Sequence, residues 1–105
     1  MEKTNVLIGL NYRSEWSVSR VSNKLCIKAS QMFDSERIEY DMLQLPLDSV
    51  IYVGWSRFHH RILVHCQLQD KVFVYTFQCK ECKLANEFVD KVEKILSDYE
   101  KHKKR

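Results

Sequence analysis

The chain reads as a mainly β domain closed by one C-terminal helix, and three observations predict it. Short alternations of apolar and polar residues, rich in β-branched and aromatic types, recur over residues 4–79. From about residue 80 the apolar residues recur instead at three- and four-residue steps. Only two Gly and one Pro interrupt 105 residues, which leaves little material for linkers and predicts a single domain.

In order along the chain, "TNVLIGLNYR" places Val6, Ile8 and Leu10 on one face and Leu7 on the other, a half-buried strand. "SEW" turns the chain into "WSVSRV", and "SNK" turns it again into "LCIKAS". No Asn-Gly or Asp-Gly marks a turn there, so residues 16–30 read equally as one bent strand or as a hairpin of two. Asp34-Ser35 breaks the next stretch. Ile38, Tyr40 and Met42 then alternate with Glu39 and Asp41, a pattern that a helix would scatter around its circumference. Pro46 fixes its own backbone angle and disfavours helix at Leu45, which makes "LPLDS" a connection.

"VIYVGW" is a continuous apolar run suited to a strand covered on both faces, and Gly54 within it suggests a bulge or a close backbone approach. "SRFHH" is a polar, basic turn. In "RILVHCQL" Ile62, Val64, Cys66 and Leu68 share one face, and in "KVFVYTF" Val72, Val74 and Thr76 oppose Phe73, Tyr75 and Phe77. Gln69-Asp70 joins the two as a two-residue hairpin loop. Over about 80–101 Leu84, Phe88, Val92, Ile95 and Tyr99, flanked by Val89 and Leu96, form the apolar stripe of an amphipathic helix of about 30 Å. The basic tail 101–105 complements the negative pole of its dipole.

Composition excludes several classes. The apolar share of 45% and charged share of 30% are those of a globular protein, and a net charge of +3 concentrated in "KHKKR" does not argue for nucleic-acid binding. No apolar run is long enough to span a membrane, and Met1-Glu2 lacks the features of a secretory signal; the expected location is the cytoplasm, with the nucleus as alternative. The four Cys are accordingly read as reduced thiols.

The order of strands and terminal helix resembles the pleckstrin-homology superfold, in which two nearly orthogonal antiparallel sheets form a partly open barrel of six or seven strands plugged by a helix. The segment 45–96 is most similar to the second half of phosphotyrosine-binding domains: Pro46-Leu47, "SVIYVGW", "RILVHCQL" and "YTFQCKE" match its succession of strands into the helix. Only "SEW" stands where that family carries an extra helix, so the resemblance is to a minimal member. It implies a non-catalytic adaptor that binds a protein or peptide ligand without a cofactor. The peptide would add as a strand along Val50, Ile51, Tyr52, Val53, Gly54 and Trp55, with Phe88, Val92 and Ile95 as the helix wall. The plainer reading is that these apolar residues close the barrel end.

Arg57 and Arg61, with His59 and His60 between them, suit a phosphate or carboxylate, although solvated turn charges are the commoner explanation. Arg13, Arg20 and Lys24 flank the first strands, where pleckstrin-homology domains hold phosphoinositides; lipid binding is the alternative function, and a constitutive structural subunit is the second alternative. Cys79-x-x-Cys82 has the spacing of a metal or redox pair, but no second pair completes four ligands, so no metal is expected. No nucleophile elbow or paired acidic motif marks an enzyme. Oligomeric state leaves no trace in the sequence.

Overall fold

The computed structural model describes residues 2–8, 15–79 and 81–103. Among the described residues seven strands precede one helix: β1 (Glu2–Ile8), β2 (Glu15–Val21), β3 (Lys24–Phe33), β4 (Glu36–Pro46), β5 (Val50–Ser56), β6 (Arg61–Leu68), β7 (Lys71–Gln78) and α1 (Cys82–Lys103), with a 3-10 turn at Leu47–Ser49 between β4 and β5. They form two sheets, ordered β1-β7-β6-β5 and β2-β3-β4, rather than a closed barrel. The stretch 16–30 resolves into two strands, since Val21 pairs with Lys24 and Val18 with Ile27 across a tight hairpin. Leu10 lies outside the described residues.

The hairpin turns carry the backbone that two-residue loops require. Asp34 and Ser35 both adopt positive φ (46° and 69°), the pattern of a twisted two-residue turn, and Ser22 and Gln69 each take positive φ at the head of theirs. The connection at Pro46 is held from two sides. The Leu47 N–H donates to the Asn23 carbonyl (2.8 Å), and the Ser49 hydroxyl donates to the Pro46 carbonyl (2.6 Å) while accepting from the Cys66 thiol (3.0 Å).

Two features differ from the sequence reading. β1 pairs with β7 in parallel, Val6 opposite Tyr75, whereas every other strand pair is antiparallel. The irregularity in β5 lies between Val50 and Tyr52, not at Gly54, which sits in regular register opposite Leu63.

One core joins both sheets and the helix. Val18, Leu25, Ile27 and Leu45 come from one sheet, Val53, Ile62, Val64, Cys66 and Phe77 from the other, and Ala85, Phe88, Val92 and Tyr99 from α1. The helix contacts β2 on one side and β5 on the other, and so covers the opening between the sheets. Its buried stripe starts at Ala85, which is fully buried, whereas Leu84 is 53% exposed.

Candidate functional site

β5 is the terminal strand of its sheet, paired with β6 alone, and α1 runs beside it. Apart from the Val50 N–H, which caps the 3-10 turn by donating to the Leu47 carbonyl, no backbone hydrogen bond among the described residues ties β5 to any element but β6. The strand carries no charged side chain. Alternation splits it: Val53 and Trp55 face the core with Val64 and Ile62 opposite, while Tyr52, Gly54 and Ser56 face outward. Ile51, displaced by the bulge, is 55% exposed and Tyr52 is 51% exposed.

Gly54 accommodates its own neighbour. A Cβ at this position would lie 2.1 Å from the Tyr52 hydroxyl oxygen, so the Tyr52 ring lies across the gap that the missing side chain leaves. The same ring meets His65 edge-on, with centroids 4.9 Å apart. On the core side, Trp55 buries its indole Nε1–H without a hydrogen-bond partner among the described residues. An orphaned donor of this kind costs about 1–3 kcal/mol and is relieved by any acceptor that reaches it.

The helix residues foreseen as a wall sit at different depths. Phe88 is 7% exposed, with its ring 6.0 Å from that of Phe77, and Val92 is fully buried; both belong to the core. Ile95 is half-buried, as are Val89 and Leu96, and these with exposed Leu84 are the apolar helix positions still within a ligand's reach.

The basic cluster of the β5–β6 turn is dispersed by the fold. Arg57 lies 6.0 Å from the Trp55 ring centroid, and His59 Nδ1 is 3.1 Å from the Ser56 hydroxyl. His60, at φ 51°, offers its carbonyl to the Cys79 N–H (2.8 Å) and thereby joins this turn to the β7–α1 connection. Arg61 belongs elsewhere, lining a cavity of about 520 Å³ on the outer face of the four-stranded sheet with Lys3, Asn5, Leu63, His65, Val74 and Thr76. Burial, aided by the Lys3 ammonium, holds the His65 imidazole below the ordinary histidine pKa. Sequence reading missed this group because its members come from three strands whose adjacency depends on the β1–β7 pairing.

A second polar cluster clasps the end of α1. Lys103 Nζ lies 2.7 Å from an Asp48 carboxylate oxygen and 5.9 Å from the Tyr99 ring centroid, over which Arg20 also sits at 5.2 Å. Arg20 Nε further donates to the Ser22 carbonyl (2.8 Å). The Lys103 hydrogen bond, then that of Tyr99, draws the Asp48 pKa below the usual carboxylate value, and the same contact with Asp48 raises those of Lys103 and Tyr99. Of the residues named for lipid binding, Arg20 is thus engaged in this clasp, Lys24 opens β3 on the surface, and Arg13 lies outside the described residues.

Cys79 directs its thiol to the Glu81 carbonyl at 3.5 Å, and burial raises its pKa, the opposite of a reactive thiolate. Cys82 instead accepts from Asn86 (3.5 Å). Among the described residues no three His, Cys, Asp or Glu side chains gather where they would hold a metal ion, and no helix is long and apolar enough to cross a membrane. No protein-family model and no curated protein matches this chain.

Proposed function

We propose that the chain is a non-catalytic protein-interaction module that captures an extended peptide by β-augmentation along β5, beside α1. The observation that carries this reading is the position of β5: an uncharged terminal strand, paired on one side only, next to a helix that presents half-buried apolar residues. A peptide strand added there would gain main-chain hydrogen bonds from β5 and seat alternate side chains against one apolar flank of α1, either Leu84 with Ile95 or Val89 with Leu96, which helical spacing puts on opposite sides of the buried stripe. The likeness of residues 45–96 to phosphotyrosine-binding domains supports the same placement. The orphaned Trp55 Nε1–H adds a donor that a small rearrangement on binding would satisfy.

Selection from a random peptide library, followed by mapping of amide chemical shifts with the enriched peptides, tests the reading. The shifts are expected on β5 and the exposed flank of α1, and Ile51→Arg, at a half-exposed position, is expected to abolish binding while leaving the fold intact. Enriched peptides that map to another surface, or a library that yields none, would remove the basis for the proposal.

A further inference from the structure

We propose that the trough on the outer face of the four-stranded sheet binds an elongated ligand that carries an anionic group at each end, the class to which α,ω-dicarboxylates and bisphosphates belong. The site is lined by β1, β6 and β7 on the face of the four-stranded sheet away from the core and does not depend on the peptide reading.

The trough follows from side-chain length. β7 is central in its sheet and turns Val72, Val74 and Thr76 outward, three short side chains that lie outside the contiguous core yet are only 6–8% exposed. Its neighbours rise higher: Lys3 and Asn5 on β1, and Leu63 and His65 on β6 with Arg61 at its head. A central strand with short side chains between two strands with long ones leaves a channel along its own axis.

Register gives the channel polarity at its ends. Lys3 stands opposite Val72, Asn5 and His65 both stand opposite Val74, and Arg61 stands opposite Gln78. The Lys3 and Arg61 rows are therefore six residues apart on β7, or about 20 Å at the rise of an extended strand. Both residues line one cavity, and a side chain of either length has the reach to lean toward its middle. Among the described residues no carboxylate lines it. Between the cations the apolar lining is Val74 on the floor and Leu63 on the β6 side, with the Thr76 hydroxyl, the Asn5 amide and the His65 imidazole as neutral polar contacts. A single small anion reaches one cation and leaves the other unpaired, whereas a linear dianion with an apolar spacer engages both and lays its spacer on the floor. Arg61 offers the bidentate geometry that carboxylate and phosphate share, and Lys3 a point charge.

The experiment titrates the 15N-labelled protein, at fixed ionic strength, with succinate, suberate, sebacate and dodecanedioate, and with octanoate as the single-charge control. Suberate or sebacate is expected to shift the amides of Asn5, Leu63, His65, Val74 and Thr76 saturably, with affinity on the order of tenfold above both succinate and octanoate. Lys3→Ala and Arg61→Ala, both at exposed positions, are each expected to reduce suberate to the affinity of octanoate, with unchanged amide dispersion reporting an intact fold. 1,6-Hexanediol bisphosphate identifies the preferred head group, and preference in either direction supports the paired-anion site. Equal affinity for octanoate and suberate, indifference to spacer length, or absence of shifts in the trough would overturn the proposal.

Discussion

β4 and β5 are both terminal strands, each paired on one side only, yet they are built in opposite ways. Residues 36–41 of β4 are exposed on both faces, and four of those six positions (Glu36, Arg37, Glu39 and Asp41) are charged. Charge at alternate positions of a terminal strand opposes pairing with another chain, because an incoming backbone would strip those groups of water. β5 has no such protection. Its seven residues carry no charge, and its neighbour is an apolar helix flank rather than solvent. The contrast teaches that exposure and charge are separate properties of a terminal strand: the more exposed strand is guarded by charge, and the less exposed one carries none.

The strongest way to break the comparison is at the helix. Phe88→Ala is expected to cost about 3–5 kcal/mol, the range for emptying a large aromatic site in a core, because Phe88 packs on Phe77 within the shared core. Urea denaturation checks it, and an unchanged midpoint would return Phe88 to the ligand-facing wall. Gly54→Ala is the next largest: the new methyl group displaces the Tyr52 ring, at about 0.5–1.5 kcal/mol for a side chain pushed off its rotamer. In a Tyr52→Ala background the same substitution is expected to be close to neutral, and a full cost there would show that the obstacle is backbone.

On the guarded strand, Ile38→Asp is expected to stay within about 0.5 kcal/mol, since Ile38 is already 37% exposed. It is also expected to leave the proposed peptide capture at β5 unchanged. The smallest effect belongs to the clasp that holds the end of α1 near the start of β5. Asp48 has a depressed pKa in the folded state, so its contribution is present above the unfolded carboxylate value near about 3.9 and is lost as pH falls through the lower folded value. Asp48→Asn is therefore expected to flatten the acid limb of a melting-temperature profile slightly, and the difference is expected to shrink in high salt because the pair is exposed. A profile identical to that of the unmodified protein at low salt would show that Lys103 and Tyr99 gain nothing from the contact.

Five of the strands and the helix were legible in the amino-acid sequence, since alternation and three- to four-residue spacing are local consequences of backbone geometry, whereas residues 16–30 were legible as strand but not as the two strands β2 and β3. The turns at Asp34-Ser35 and Gln69-Asp70 and the stop at Pro46 were legible for the same reason, and so was the position of β5 as a hydrophobic strand ahead of a basic turn. The candidate site was only half legible. Phe88, Val92 and Ile95 were assigned together to one wall, but helical spacing tells which residues share a face and not how deeply each sits. The register of α1 against two sheets buries the first two and leaves Ile95 half-exposed, and it starts the stripe at Ala85 rather than Leu84.

Other features needed the tertiary structure altogether. The parallel addition of β1 to β7 joins residues about seventy positions apart, and no local pattern chooses a strand's partner when several unpaired strands present similar alternation. That pairing brings Lys3 and Asn5 into line with Thr76, His65 and Arg61, so the trough and its two cationic ends exist only after assembly. Likewise, the basic turn Arg57–Arg61 is one cluster in sequence but is divided in space, because residues 57–60 form the turn while Arg61 opens β6 and lines the outer-face cavity. Local spacing determined which elements form and which faces they bury; long-range pairing decided which side chains meet, because contact between distant residues depends on the sum of the packing and not on any one segment.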